Sequence, residues 1–188
     1  AYIFDVTTGN QVHKLTASDG SSDHYFGNSV AIDGNYAVVG AHWETGQDGA
    51  VYVFDVTTGN QLHKLTPSPR VDEQYFGDSV AISGNYVIIG ASGDGNSNTG
   101  AAYIFDLTTQ NQLHKLTASD AAASDGFGRA VSISGNYAVA GAQGNDGPNN
   151  SGSAYIFDIT TGNEIRKLTA SDAAANDYFG NSVAISSN

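Results

Sequence analysis

Two groups of residues are suited to chemistry. The first is Asp94-Gly95-Asn96-Ser97-Asn98-Thr99-Gly100, which sets oxygen-bearing side chains at alternate positions and adds glycine for tight turning. Calcium loops begin this way, so calcium is the expected cofactor, with Asp94, Asn96 and Asn98 as ligands. Asp146, followed by Asn149 and Asn150, is a sparser second copy. No bidentate glutamate closes either loop, and the competing reading is a turn in which Asn and Asp cap their own backbone. The second group centres on Trp43, the single tryptophan, which is flanked by His42 and Glu44. His24 lies one loop earlier. An exposed indole beside hydrogen-bonding groups can stack a sugar ring and orient its hydroxyls, so His24, His42, Trp43 and Glu44 form the candidate ligand site. The competing reading has Trp43 filling a gap between neighbouring sheets.

Other chemistry is poorly represented. The 188 residues contain no cysteine, which removes disulfides, thiolate metal sites and thiol nucleophiles. No Gly-x-Ser-x-Gly, His-Glu-x-x-His or phosphate-cradling glycine loop is present, and no catalytic residue is expected. Seven Lys and Arg stand against 19 Asp and Glu, a formal charge of −12. Nucleic acid and anionic membrane both require cationic surface, so neither is an expected partner. No apolar run is long enough to cross a bilayer, and membrane insertion is not expected.

The elements that must position these residues are set by an internal repeat. Tyr2-Ile3-Phe4-Asp5 recurs at Tyr52, Tyr103 and Tyr155, and Phe-Gly recurs at 26, 76, 127 and 179, with spacings of 50, 51 and 52 in both series. All length variation lies between Gly40-Ala41, Gly90-Ala91 or Gly141-Ala142 and the next Tyr. Each repeat reads as four short strands, in the second copy Asp78–Ser83, Tyr86–Ala91, Ala101–Asp106 and Gln112–Thr117. Ser83-Gly84-Asn85 supplies a tight hairpin. Thr-Thr-Gly-Asn joins the last two strands, with glycine in the left-handed conformation of a bulged turn. In the third copy Gln110 replaces that glycine, which assigns the left-handed conformation to Asn111.

Small residues on the first strand (Gly77, Ser79, Ala81) and aromatics on the third (Tyr103, Phe105) make a wedge, and wedges pack radially as the blades of a β-propeller. Repetition of the 18 Phe and Tyr in three slots reads as core packing, with none a binding platform. Lys14, Lys64, Lys115 and Lys167 on the outer strand are expected to discourage edge-to-edge pairing. His13, His63 and His114 are expected to be solvated edge residues. The Asp120/Asp125 and Asp172/Asp177 pairs are expected to brace their loops.

Phe76-Gly77-Asp78-Ser79-Val80-Ala81-Ile82, then Gly90-Ala91, Gly100 and Tyr103-Ile104-Phe105, resembles the FG-GAP repeat, the blade unit of the integrin α-subunit head and of many secreted bacterial and algal proteins. The resemblance covers the whole chain in about 3.7 copies. It implies an all-β fold, a β-propeller of four-stranded antiparallel blades that is commonly seven-bladed, acting in extracellular adhesion or recognition. The implied units are 1–25 in part, 26–75, 76–126, 127–178 and 179–188 in part, all within one propeller region. Integrin-type repeats usually carry an Asp-rich calcium loop between the first two strands. Here that connection is only Asp33-Gly34-Asn35, Ser83-Gly84-Asn85 or Ser134-Gly135-Asn136, so those calcium sites do not carry over.

Counting gives two strands, three sets of four and one more, 15 in all, the expected content of a piece of a larger propeller. The blade-to-blade loops and the loops between second and third strands share one face and hold most of the acids, with Arg70 as their one strong cation. Three functions fit. The first is a non-enzymatic extracellular adhesion or recognition module that binds a protein or glycan ligand through these loops with calcium. The second is a structural repeat segment of a surface layer or filament that self-associates through its incomplete blade. The third is a lectin-like binder centred on Trp43.

Overall fold

The computed structural model describes residues 1–21, 24–44, 48–70, 74–95, 97–144 and 150–186. Fourteen strands run in chain order. They are β1 (Tyr2–Phe4), β2 (Gln11–Lys14), β3 (Val30–Asp33), β4 (Tyr36–Ala41), β5 (Ala50–Asp55), β6 (Gln61–Leu65) and β7 (Phe76–Ser83), then β8 (Tyr86–Ala91), β9 (Ala101–Asp106), β10 (Asn111–Leu116), β11 (Ala130–Ser134), β12 (Tyr137–Ala142), β13 (Ser153–Asp158) and β14 (Glu164–Leu168). They form three four-stranded antiparallel meanders, β3 to β6, β7 to β10 and β11 to β14, and a two-stranded sheet of β1 and β2. The second and third strands of each meander are almost wholly buried, as strands covered on both faces must be.

The core lies between sheets. Val38, Val51 and Val53 of the first meander pack on Val80, Val87, Ile89 and Tyr103 of the second. Ile88 and Ile104 of the second pack on Val131, Ala138 and Phe157 of the third. Within each blade the Phe of Phe-Gly stands edge-on to the two aromatics of the third strand. The Phe76 ring lies 5.4 Å from Tyr103 and 5.9 Å from Phe105, and Phe127 repeats this with Tyr155 and Phe157 at 5.6 and 5.8 Å. Burying each such ring contributes about 1.5–3 kcal/mol, and the edge-to-face geometry adds about 0.5–1.5 kcal/mol.

Adjacent blades touch backbone to backbone. Ser29 Oγ donates to the Gly77 carbonyl of the next blade at 2.7 Å, and Ser79 Oγ to the Gly128 carbonyl at 2.9 Å. A Cβ on Gly90 would fall onto that Gly128 oxygen. Phe-Gly and Gly-Ala are thus the two sides of one interblade contact. Parallel bridges from Gly49 to Phe76, Gly100 to Phe127 and Gly152 to Phe179 continue it.

Several expectations change. The fifteenth strand is not formed among the described residues: beyond the Phe179 bridge the chain to 186 joins no ladder, although the Ile185 amide donates to Ser132 Oγ of β11 at 3.3 Å. The first strand of the second blade begins at Phe76, and its last runs Asn111–Leu116. Gln110 itself takes the left-handed conformation (φ 62°) and Asn111 opens β10. Hairpin register fixes which residue must be left-handed, and the ladder on either side outweighs a strain of about 1–2 kcal/mol.

The outer-strand histidines are not simply solvated. His13 Nε2 meets the Thr57 carbonyl of the next blade at 2.9 Å, and His114 meets Thr160 at 3.3 Å. Their rings lie against Gly59 and Gly162, where a Cβ would approach to 2.8 Å or less. The matching sequence position for His63 holds Gln110. The aromatic slots also differ: Tyr25 is 57% exposed and Tyr178 42%, and Tyr86 and Tyr137 lie at the surface. Tyr2, Phe4, Val30 and Ile32 are exposed on the open face between the two-stranded sheet and β3.

Gly90→Ala is expected to destabilise the protein by about 3 kcal/mol, since the methyl group must displace backbone rather than a side chain. Gly84→Ala, in a left-handed turn with open space around it, should cost about 1 kcal/mol. Urea midpoints of the two variants check this ordering.

Candidate functional site

The loop face is built from two layers. The deeper one joins the Tyr of each third strand and the Lys of each fourth strand to an acid. Tyr52 donates to Asp19 Oδ1 at 2.8 Å, and Lys64 donates to Asp19 Oδ2 at 2.6 Å. Tyr155 and Lys167 hold Asp120 in the same way, both at 2.7 Å. In the second blade Pro69 stands in the register position of Asp19 and Asp120, seven residues before Phe-Gly. There Asp94 from the β8–β9 loop supplies the carboxylate. It accepts from Lys115 at 2.8 Å, from Gln74 at 3.2 Å and from the Tyr103 hydroxyl. Each lysine also lies over its tyrosine ring, at 5.6 or 5.7 Å. These lysines fold inward as braces rather than standing guard on an outer edge.

This places the expected site residues. Glu44 is buried and does not line the groove described below. Its carboxylate accepts from Lys64 at 2.8 Å and Arg70 at 2.7 Å, and Arg70 reaches Asp48 at 3.2 Å. The Asp94 carboxylate is held by the three partners above. Asn98 is exposed, left-handed at φ 59°, and its carbonyl accepts the Gly126 amide at 3.1 Å. Asn96 and Asp146 lie outside the described residues. His24 is half-buried away from the groove described next, and its Nδ1 has no partner among the described residues. Asp125 and Asp177 cap the Ala122 and Ala174 amides at 2.6 and 2.7 Å, which is the expected loop bracing.

The upper layer is a groove of about 490 Å3 across the three four-stranded blades. At the first blade its wall is aromatic. Tyr25, His42, Trp43 and Tyr75 cluster with centroid separations of 5.4 Å (Tyr25–Trp43), 5.6 Å (Tyr25–His42) and 6.3–6.4 Å (His42–Tyr75, Trp43–Tyr75). His42, Trp43 and Tyr75 line the groove. Burial pushes the His42 imidazole below its ordinary 6.5, against the opposing pull of Asp78. Toward the second and third blades the lining is polar: Asp78, Ser92, Asn98, Arg129, Gln143 and Asn150.

Its rim is zipped together by backbone. Ser124, Gly126 and Phe127 amides donate to the Ser97, Asn98 and Thr99 carbonyls, and the Tyr178 amide donates to Asn150. The left-handed pair Ser97 and Asn98 aims these carbonyls at the next blade. Tyr75 and Tyr178 were not expected here. Both precede Phe-Gly and are left-handed, at φ 54° and 53°, where the third blade has Gly126 at 61°. Exchange of Tyr with Gly at one slot is the signal of a strained surface position rather than a core one.

Repeated four-stranded antiparallel sheets, packed face to face through their third-strand aromatics, define the β-propeller class. The FG-GAP repeat pattern matches residues 10–54, 60–105, 111–157 and 163–188, and the chain belongs to the FG-GAP repeat family. No curated protein sequence matches the chain. Many solved structures share its fold, the following two among them. The computationally designed Ika4 protein is 22% identical over 86% of this chain and 82% of its own, with a TM-score of 0.55. The hydrazine synthase of Kuenenia stuttgartiensis is 19% identical over 90% of this chain and 42% of its own, with a TM-score of 0.62.

Two predictions follow from the braces. Asp94→Asn leaves Lys115 facing a neutral, buried amide and should cost about 2 kcal/mol. Asp120→Asn, whose carboxylate is 45% exposed, should cost about 0.5–1 kcal/mol. Denaturant unfolding of both variants reads the difference. The second concerns pH. Lys64 and Tyr52 hold the Asp19 carboxyl below its ordinary 3.8, against partial burial. Turn amides of Thr8 and Thr7 do the same for Asp5, and the Thr58 amide for Asp55. Each therefore stabilises the fold above 3.8 and loses that contribution as pH falls through its lowered value. The unfolded chain also takes up a proton at His42 that the folded one resists, which gives a smaller loss below 6.5. Stability measured by urea from pH 7 to pH 3 should fall in these two stages, the steeper below about pH 4.

Proposed function

We propose that this chain is a non-catalytic recognition module of an extracellular or cell-surface protein, holding its ligand in the groove of the loop face. The observation that carries this reading is the groove itself, with an aromatic wall from one blade and polar side chains from the next two. Membership of the FG-GAP family supports it, since this propeller fold is that of an interaction module and the family is generally non-catalytic. Loops on a rigid scaffold are where binding usually resides. The titratable groups also argue for binding. Most described acids of this face are tied to lysine, arginine, tyrosine or backbone amides, and among the described residues none stands as a base facing an apolar cavity.

The test immobilises the protein against a panel of purified extracellular proteins and glycans, once with calcium and once with chelator. Trp43→Ala should abolish the binding that the unaltered chain shows. Tyr86→Ala, on the opposite hairpin face, should leave it intact. Loss of binding in chelator alone would add calcium to the mechanism. Binding that survives Trp43→Ala and fails with Tyr86→Ala would move the site to the other face.

A further inference from the structure

We infer that the groove takes a carbohydrate chain, with a pyranose ring seated on Trp43 and Tyr75 and its hydroxyls reaching Asn98, Arg129 and Gln143. This rests on the recognition reading above and names its ligand class. The protein carries −12 overall, yet the charged side chains lining its groove are only two carboxylates, Asp78 and Asp125, and one guanidinium, Arg129. The Asp78 carboxylate accepts from the Ser92 hydroxyl at 2.8 Å, and Asp125 caps Ala122. Arg129 is exposed and forms no ion pair among the described residues. A strongly cationic ligand would meet that guanidinium, and a strongly anionic one would meet the field of the whole face. An uncharged, hydroxyl-rich ligand meets neither penalty.

The lining supplies what such a ligand needs. A sugar ring has an apolar face of C–H groups and an equatorial belt of hydroxyls that both donate and accept. Trp43 is 38% exposed and Tyr75 half-buried at the groove wall, which leaves open ring area against which C–H groups can pack. Amide side chains donate and accept together, and a guanidinium donates through a fixed fork. These stand at the far side of the same groove, so a chain of linked rings would lie across the blades.

A peptide fits less well. Capture of an extended peptide uses a free strand edge. Here the amides of Ser124, Gly126, Phe127 and Tyr178 along the rim are already spent on neighbouring loop carbonyls. Protein hot spots also favour a well-packed pocket for an apolar anchor. This concavity is polar over most of its lining.

Trp43, as the single tryptophan, reports directly on the site. Its fluorescence would be titrated with cellohexaose, laminarihexaose, maltohexaose and, for charge, trigalacturonic acid. The expected result is a saturable change with at least one of the neutral oligosaccharides, weakened tenfold or more by Tyr75→Ala and by Arg129→Ala. Thermal unfolding of the variants should stay within a few degrees of the parent, which separates loss of binding from loss of fold. Saturation only with trigalacturonic acid would overturn the neutral-chain assignment. A change indifferent to both substitutions, or none with any sugar, would overturn the inference altogether. If the sugars fail while a purified protein binds in a Trp43-dependent way, the carbohydrate assignment falls and the recognition reading stands.

Discussion

The fold depends on a place where no side chain fits. Where two blades meet, the α-carbon of one Gly-Ala glycine lies against the carbonyl of the next Phe-Gly glycine, and a serine hydroxyl from the first blade bonds that same carbonyl. The close approach lets the inner strands converge while the outer strands spread. It also puts the Phe of Phe-Gly beneath the Tyr and Phe of its own third strand. The wedge is therefore made twice, by absence of atoms inside and by aromatic volume outside. The family's motif is the chemical description of that single contact.

The acidity of the chain has a structural use that charge alone does not reveal. Lys64, Lys115 and Lys167 each lie along a buried tyrosine and end on a carboxylate. Burial works against the charge on Lys64, but hydrogen bonds from its ammonium to Asp19 and Glu44 outweigh this and hold its pKa above the usual lysine range. Burial and the bond to Asp19 push the Tyr52 phenol up. The cations and acids thus stabilise one another under the loops. The surface above is left to Trp43, Tyr75, the amides of Asn98 and Gln143, and Arg129 with Asp78.

Architecture was legible because the repeat holds every strand at fixed spacing, and most strand ends fall within a residue or two of the pattern. What escaped was decided by neighbours. Glu44 sits beside Trp43 in sequence, yet Lys64 and Arg70 draw it inward. Asp94 looks like a metal ligand until Pro69 is seen to have removed the acid that Tyr103 and Lys115 require. His13 reads as an edge residue because its acceptor, the Thr57 carbonyl, belongs to another blade. The aromatic wall was half visible: Trp43 and His42 stood out by being unrepeated. Tyr75 was hidden by being repeated, although the glycine at 126 marked its slot as left-handed.

The exchange of Asp19-type acids for Asp94 also bears on how such arrays can be rearranged. The first and third blades take Asp19 and Asp120 from the linkers that precede them, so excising either at its Phe-Gly boundary would remove the carboxylate that its tyrosine and lysine share, although Lys64 would keep Glu44. The second blade carries its own, on the loop between its second and third strands. Duplicated or transplanted at those boundaries, it keeps the one carboxylate that its tyrosine and lysine share.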